Sequence, residues 1–108
     1  MVKNFYEKDE FSIIIPVFNE EKAIGGLLNE LSHEPLLDGI EIVVVDDKSQ
    51  DGSVDMIRQF PNVKLCQHRI NKGYGSAIVT GVKAAKGKFV VWFDADGQHR
   101  IEDLIKIM

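Results

Sequence analysis

Several residue types and patterns are scarce in this sequence, and each scarcity excludes a class of protein. Cys66 is the single cysteine among 108 residues, which excludes an internal disulfide and a cysteine-based zinc site. Its run alternates apolar and polar residues, so we expect a buried, unreactive thiol. No stretch reaches the roughly 18 apolar residues that a membrane-spanning helix needs. Internal repeats and low-complexity tracts are also absent from the sequence.

Positive charge is in short supply as well. Thirteen Lys and Arg stand against seventeen Asp and Glu, a net charge of -4 that disfavours nucleic acid or an anionic lipid surface as a partner. The first ten residues are polar and lack the apolar core of a secretory signal. We therefore expect one cytoplasmic domain over residues 1–108, with residues 1–10 as a flexible lead-in.

Four short apolar runs, rich in β-branched residues, predict strands. They are Phe11–Val17, Ile40–Asp46, Val63–His68 and Lys88–Asp94. Near-continuous apolar strands are typical of a parallel sheet that is covered on both faces. The third run is short and alternating, which predicts a position nearer the sheet edge.

Apolar residues at helical spacing separate these strands. The four stripes are Ile24, Leu27, Leu28 and Leu31; Val54, Ile57 and Phe60; Tyr74, Ala77, Ile78, Gly81, Val82 and Ala85; and Ile101, Leu104, Ile105 and Met108. We expect Asn19 to cap the first helix, Asp51 or Ser53 to begin the second, and Gly87 to end the third. The alternation predicts an α/β fold, a doubly wound, mainly parallel sheet with helices on both faces and strand order 3-2-1-4.

Ligands of open parallel sheets bind at the carboxyl ends of the strands, so the residues that follow each strand matter most. Asp94 and Asp96 follow the fourth strand, two residues apart. Two neighbouring carboxylates require a cation or a proton, and oxygen ligands suit Mg²⁺ or Mn²⁺. Gln98 and His99 could add a ligand to this site. The alternative is an ordinary turn, because Asp and Gly are common turn residues.

Asp46 and Asp47 end the second strand, where carboxylates can accept hydrogen bonds from a ribose or a base. The alternative is helix capping by Ser49, Asp51 or Ser53. The segment 71–77, NKGYGSA, opens the third helix and suits a phosphate, although a plain glycine-rich helix entry explains it equally well. It matches neither Gly-x-Gly-x-x-Gly nor a P-loop.

The remaining aromatic and imidazole side chains have simpler interpretations. We expect His33 to be solvated, His68 to lie at the surface and Trp92 to pack in the core. His99 is of more interest because it follows the Asp-x-Asp pair.

Taken together, the strand ends resemble a family-2 glycosyltransferase of the GT-A fold. The four matching segments are residues 13–21 (IIIPVFNEE), 43–52 (VVVDDKSQDG), 71–77 (NKGYGSA) and 93–99 (FDADGQH). The last segment is similar to the branch of dolichyl- and polyprenyl-phosphate mannose and glucose synthases. The resemblance implies that this chain is the nucleotide-sugar-binding portion of an enzyme that transfers a sugar with inversion.

The resemblance also assigns roles to individual residues. It implies a nucleotide-binding set of Pro16, Phe18, Glu20, Asp46, Asp47, Lys72, Gly73 and Asp94. It implies that Asp94, Asp96 and Gln98 hold Mg²⁺ or Mn²⁺ against the diphosphate of a UDP- or GDP-sugar. The acceptor would be a lipid phosphate, and a full-length parent would work at the cytoplasmic face of a membrane.

The sequence departs from the family pattern in two places. Arg100 and Ile101 precede Glu102 where such enzymes usually have a proline. Family domains also continue well beyond Met108 and supply the general base there, so we expect a truncated chain without that base. Uncovered sheet edges would then favour a homo-oligomer.

Two alternatives remain open at this point. Residues 93–97, FDADG, also resemble the nucleophile motif of haloacid-dehalogenase-type phosphatases, in which the first Asp attacks phosphate. That motif normally lies on the first strand, whereas here it follows the fourth. The second alternative is a non-catalytic nucleotide-binding or assembly module.

Overall fold

The computed structural model describes residues 10–96 and 101–107. Four strands are present in this part of the chain: β1 (Phe11–Val17), β2 (Glu41–Asp46), β3 (Lys64–Gln67) and β4 (Phe89–Trp92). They alternate with the helices α1 (Glu21–His33), α2 (Ser53–Ile57), α3 (Tyr74–Ala84) and α4 (Ile101–Ile107). A 3₁₀ turn over Pro35–Leu37 precedes β2. The lead-in predicted for residues 1–10 lies outside the described residues apart from Glu10.

The strands form one sheet in the order β3-β2-β1-β4, and all three strand pairs are parallel. The predicted fold class and strand order are therefore confirmed. In the register, Ile14 of β1 lies opposite Val43 of β2 on one side and Trp92 of β4 on the other. The central strand β1 is buried along its whole length, because it has a neighbour on each side and a helix layer over each face.

Each face of the sheet has its own core. On one face, Ile13 and Ile15 of β1 pack with buried residues of α1, α2 and α4, among them Leu28 and Leu104. On the other face, Ile14 packs with Ala77 of α3. Successive strand residues point to opposite faces, so the apolar run Phe11–Val17 supplies both cores. Because residues on both faces of β1 are buried, its sequence is almost continuously apolar and does not alternate between apolar and polar residues.

Two of the three predicted helix boundaries differ in the structure. Glu20, not Asn19, is the N-cap of α1; its own side chain makes no capping hydrogen bond, and Asp51 Oδ2 accepts the N–H of the first helical residue, Glu21, at 3.2 Å. The second helix begins at Ser53, one of the two predicted starts, with Gly52 as its N-cap, and the Asp51 carboxylate accepts the N–H of Ser53 at 2.9 Å. The third helix ends at Ala84 rather than at Gly87.

Two burial predictions were wrong because they concern strands at the sheet edges. Trp92 is 52% exposed, since β4 pairs only with β1 among the described strands. Cys66 on the opposite edge strand β3 is half-buried rather than buried. Val79 and Val82 of α3 are also exposed, and His33 is exposed as predicted.

Within residues 10–96 and 101–107, no helix has the length and apolar character needed to cross a membrane.

Candidate functional site

A cavity of about 400 Å³ opens at the carboxyl edge of the sheet. Its volume lies in the range that is usual for small-molecule sites. Segments after all four strands line it: Pro16, Val17, Phe18 and Glu20 from β1 onward, Asp47 after β2, Asn71, Gly73, Tyr74 and Ala77 after β3, and Asp94, Ala95 and Asp96 after β4. Six of the eight residues expected to bind the nucleotide are therefore brought together here, and Asp46 and Lys72 are not among the lining residues.

The loop that carries Phe18 and Glu20 is fixed by the loop that follows β2. The backbone N–H of Asn19 donates to Ser49 Oγ at 2.8 Å, and that of Glu20 donates to Ser53 Oγ at 2.9 Å. In return, the Asn19 side chain accepts the N–H of Gln50 at 2.8 Å. Asn19 has a φ of 53°, a left-handed conformation that asparagine tolerates better than most residues. Asn19 therefore joins two loops instead of capping α1.

The Asp47 carboxylate is held from three sides and is only 4% exposed. Its Oδ1 accepts hydrogen bonds from Nδ1 of His68 at 2.7 Å and from the N–H of Lys72 at 2.8 Å. Its Oδ2 accepts the N–H of Gly73 at 2.8 Å. Burial alone would raise the pKa of Asp47, but these hydrogen bonds outweigh burial and hold the pKa below its usual value. Asp47 is therefore ionised and holds the loop before α3 through these backbone hydrogen bonds.

The hydrogen bonds to Asp47 change the interpretation of residues 71–77 as a phosphate site. The N–H groups of Lys72 and Gly73 already have a carboxylate partner, so they are not free to bind an anion. Gly73 occupies the N-cap of α3 with a φ of 97°, a conformation that other residues rarely adopt. The glycine in this loop therefore serves the turn that brings both N–H groups to Asp47.

Asp46 is 2% exposed, and its two carboxylate oxygens differ. Oδ2 accepts the N–H of Ser49 at 2.9 Å. Oδ1 is buried and has no hydrogen-bond partner within the described part of the chain. A buried carboxylate oxygen without a donor is costly, so its partner is expected to be a water or a ligand group.

Tyr74, at the start of α3, reaches across the cavity to the end of β4. Its hydroxyl donates to Oδ1 of Asp94 at 2.5 Å. Partial burial, then this hydrogen bond and the negative charges of Asp94 and Asp96, raise the pKa of Tyr74 to about 12. Tyr74 therefore stays protonated at neutral pH and remains a hydrogen-bond donor.

Asp94 and Asp96 line the same cavity, as their spacing predicted. Two hard carboxylate oxygens beside open space fit a divalent cation that takes its other ligands from a diphosphate and from water. Among residues 10–96 and 101–107, no group of three or more His, Cys, Asp or Glu could hold a metal without such help. Gln98 and His99, the other residues considered for this site, lie outside the described residues.

His68 and Tyr74 are the two residues at or behind the cavity wall to whose side chains the sequence patterns gave no individual role. His68 was expected at the surface, yet it is buried between Asp47 and Thr80, and its Nε2 lies 2.7 Å from Thr80 Oγ1. Tyr74 was assigned to the apolar stripe of its helix. Its place directly after the loop at the carboxyl end of β3 was the one local signal of a role in the site.

Comparison with known proteins identifies the family. The model of glycosyl transferase family 2 matches residues 12–108. The chain belongs to that family. This membership favours the transferase interpretation of the Asp94–Asp96 motif over the phosphatase interpretation.

Individual relatives agree with this assignment. The undecaprenyl-phosphate 4-deoxy-4-formamido-L-arabinose transferase of Aeromonas hydrophila is 36% identical over 104 residues, which cover 90% of this chain. The structure of TarS residues 1–349 from S. aureus in complex with UDP has a TM-score of 0.70 and 35% identity over 80% of this chain. The mannosyltransferase PcManGT of Pyrobaculum calidifontis, in complex with GDP-Man and Mn²⁺, has a TM-score of 0.69 and 30% identity over 81% of this chain. The predicted GT-A fold is confirmed by these matches.

This chain spans a minor part of each of these proteins. It covers 32% of the Aeromonas transferase and 27% of each of the two structures. The comparison therefore concerns the region that contains the cavity at the sheet edge.

Proposed function

We propose that this chain is the donor-binding part of a family-2 glycosyltransferase that transfers a sugar from a nucleotide-diphosphate sugar to a polyprenyl phosphate. The observation that carries the proposal is the cavity at the carboxyl edge of the sheet, to which all four strand ends contribute. Such an edge is where open parallel sheets bind nucleotides. The UDP and GDP-Man complexes of the two similar structures support this class of ligand.

Within the cavity, the nucleoside would lie near the loops after β1 and β2. Phe18 is exposed and offers an aromatic face, and Pro16 and Glu20 line the same wall. The unpaired Oδ1 of Asp46 is buried at the end of β2, outside the lining of the cavity, and an N–H of a base that approached it would supply its missing donor. Phe18 and Pro16 supply apolar surface on this wall, whereas Asp94 and Asp96 follow β4, so the two ends of a nucleotide sugar would meet different surroundings.

The diphosphate would lie toward Asp94 and Asp96, which are the residues that would hold Mg²⁺ or Mn²⁺. Without a cation these carboxylates would repel the diphosphate, so binding of the donor is expected to depend on metal. When bound, the cation would neutralise the negative charge that develops on the leaving nucleoside diphosphate. The Mn²⁺ in the PcManGT complex supports this cofactor class.

General chemistry and the name of one relative support a lipid phosphate as the acceptor. Inversion requires an acceptor oxygen to attack the anomeric carbon directly while the bond to the diphosphate breaks. The name of the Aeromonas transferase supports undecaprenyl phosphate or a similar lipid phosphate as that acceptor. A phosphate oxygen is already ionised at neutral pH, so such an acceptor needs little help from a general base.

Calorimetry tests the donor site directly. UDP, GDP and AMP would be titrated into the 108-residue chain in Mn²⁺ and again in chelator. We expect UDP or GDP to bind in Mn²⁺ at least tenfold more tightly than in chelator, with AMP as the control without a diphosphate. Failure of both diphosphates to bind under any condition would reject the proposal.

An activity assay separates a transferase from a non-catalytic module. The chain that binds a nucleotide would be incubated with the matching nucleotide sugar, with and without undecaprenyl phosphate. Release of nucleoside diphosphate that depends on the lipid supports transfer. Tight binding without release would favour the non-catalytic nucleotide-binding module.

A further inference from the structure

A buried histidine connects the core of the fold to the wall of the cavity. Nδ1 of His68 lies 2.7 Å from Oδ1 of Asp47, and Nε2 lies 2.7 Å from Oγ1 of Thr80 on α3. The backbone N–H of His68 also donates to the carbonyl of Asp46 at 2.8 Å. The ring is therefore fixed at both nitrogens and at its backbone.

The partners of the ring define the direction of its hydrogen bonds. A carboxylate only accepts, so Nδ1 of His68 carries a proton. The hydroxyl of Thr80 can donate to Nε2 when the ring is neutral or accept from it when the ring is protonated. Both protonation states keep the bond to Asp47, so Thr80 orients the ring without requiring a charge on it.

The hydrogen bond from His68 matters because its acceptor, Asp47, also holds the loop before α3. Asp47 holds the N–H groups of Lys72 and Gly73, each at 2.8 Å. Gly73 is the N-cap of α3, and the next residue, Tyr74, donates to Asp94 at 2.5 Å. Hydrogen bonds thus run from Thr80 through His68 and Asp47 to the loop at residues 71–74, and from that loop to a carboxylate of the expected metal site.

We propose that His68 is a positioning residue for the nucleotide-diphosphate site, because it fixes the Asp47 carboxylate that holds the loop at residues 71–74 against the cavity. The proposal rests on the proposed function. His68 does not line the cavity, so it acts through Asp47 and not on the ligand. Without its Nδ1 donor, Asp47 would be a buried carboxylate with one bond fewer, and the loop would be less well fixed.

Three substitutions and one matched control test this role. His68→Leu removes both ring hydrogen bonds, His68→Asn keeps an N–H near the position of Nδ1, and Thr80→Val removes only the outer partner. Ser12→Ala is the control, since Ser12 is buried and hydrogen-bonded to Glu41 and Gly87, residues that do not line the cavity. Each variant would be compared at a temperature where circular dichroism shows it folded.

The first measurement needs no ligand. Amide hydrogen exchange at Lys72 and Gly73, followed by NMR, reports whether Asp47 still holds the loop. We expect exchange at these two amides to be at least tenfold faster in His68→Leu, slightly faster in Thr80→Val, and unchanged in His68→Asn and Ser12→Ala. Equal exchange in wild type and in both His68→Leu and Thr80→Val would overturn the proposal, as would equal acceleration in Ser12→Ala.

The second measurement is the affinity for UDP or GDP in Mn²⁺. We expect roughly tenfold weaker binding in His68→Leu, near wild-type binding in His68→Asn, and no change in Ser12→Ala. Weakening in Ser12→Ala to the same extent would mean that stability alone sets the affinity, which overturns the positioning role. If wild type binds neither nucleotide while the exchange results are as expected, the proposed function fails and the effect of His68 on the loop stands. If His68→Leu does not fold, Thr80→Val and His68→Asn carry both comparisons.

Discussion

Gly81 of α3 lies directly against Ile14 of the central strand β1. A Cβ added at Gly81 would overlap Cγ2 of Ile14 and lie 3.2 Å from its Cγ1. The helix thus approaches the sheet at a distance that a methyl group does not allow. Because Tyr74 lies on the same helix, the packing of Gly81 contributes to where the Tyr74 hydroxyl reaches.

We predict that Gly81→Ala destabilises the chain by about 1–3 kcal/mol, the usual cost of overfilling a packed core. Gly26→Ala is the matched control, since Gly26 lies in α1 and nothing approaches its added Cβ within 4 Å. Alanine has the higher helix propensity, so this control should gain about 0.5–1 kcal/mol. Urea unfolding measures both values, and a stabilised Gly81→Ala would contradict the observed packing.

A second pair of glycines tests the loop before α3. Gly73 has a φ of 97°, whereas Gly75 lies two residues later inside α3, and neither has an atom within 4 Å of an added Cβ. Gly73→Ala should therefore cost about 1–3 kcal/mol through backbone strain alone, and it should weaken nucleotide binding because the loop lines the cavity. Gly75→Ala should leave stability unchanged or slightly improved. Equal stability of the two variants in urea would show that the left-handed turn is not required.

The lowered pKa of Asp47 predicts how stability depends on pH. At neutral pH the carboxylate is ionised in both the folded and the unfolded chain, and its hydrogen bonds contribute fully. As the pH falls below the ordinary aspartate value of about 3.9, the unfolded chain takes up a proton before the folded chain does, so the free energy of unfolding decreases. This loss continues until the pH passes the lowered pKa of the folded state.

Asp47→Asn should remove that component of the pH dependence. The slope of unfolding free energy against pH between about pH 5 and pH 3 should become smaller, by up to about 1.4 kcal/mol per pH unit. Asp55→Asn on the exposed face of α2 is the control. Urea unfolding at several pH values gives the slopes, and identical slopes in wild type and Asp47→Asn would exclude a lowered pKa.

Much of the fold could be predicted because it depends on local patterns. The run Phe11–Val17 was predicted with the observed bounds, and the other strands differ by one or two residues at their ends. The burial of Trp92 was predicted wrongly because an apolar residue in a strand does not show whether that strand has neighbours on both sides. Its exposure follows from the edge position of β4 among the strands that the structure describes, which depends on strand pairing and not on the local sequence.

The position of the site was predictable from the sequence, but the hydrogen bonds that hold it together were not. The rule that ligands bind at strand ends identified Asp47, Asp94 and Asp96, and all three line one cavity. The bond between His68 and Asp47 joins residues 21 apart in the chain, and Asn19 accepts the N–H of a residue 31 positions away. Such long-range pairs leave no periodic signal, so His68 and Asn19 received the local interpretations of surface residue and helix cap.

The unpaired oxygen of Asp46 leads to a further prediction. If Oδ1 accepts an N–H from the nucleotide, then Asp46→Asn presents an acceptor or a donor there without the charge, and UDP or GDP binding should weaken about tenfold. The melting temperature should change little, because asparagine can still accept the N–H of Ser49. Calorimetry and a thermal melt of the same sample check both statements. Unchanged nucleotide affinity would leave a buried water as the partner of Oδ1.

The final prediction concerns the metal and the pair Asp94 and Asp96. Both carboxylates line the cavity, and among the described residues they lack the further side chains needed to hold a metal unaided. We therefore expect Mn²⁺ alone to bind weakly and Mn²⁺ with UDP or GDP to bind with clear synergy, since the diphosphate supplies the missing oxygens.

Asp96→Asn removes one of the two carboxylates expected to hold the metal, with almost no change of shape. It should abolish most of the tightening of UDP or GDP by Mn²⁺ in calorimetry, while binding in chelator stays the same or improves because one repulsive charge is lost. Asp55→Asn carries the same chemical change on the exposed face of α2 and should keep the full metal effect. If Asp96→Asn also keeps it, or if nucleotide binds wild type equally well in chelator, the Asp94–Asp96 pair is a structural turn and the diphosphate must be held elsewhere.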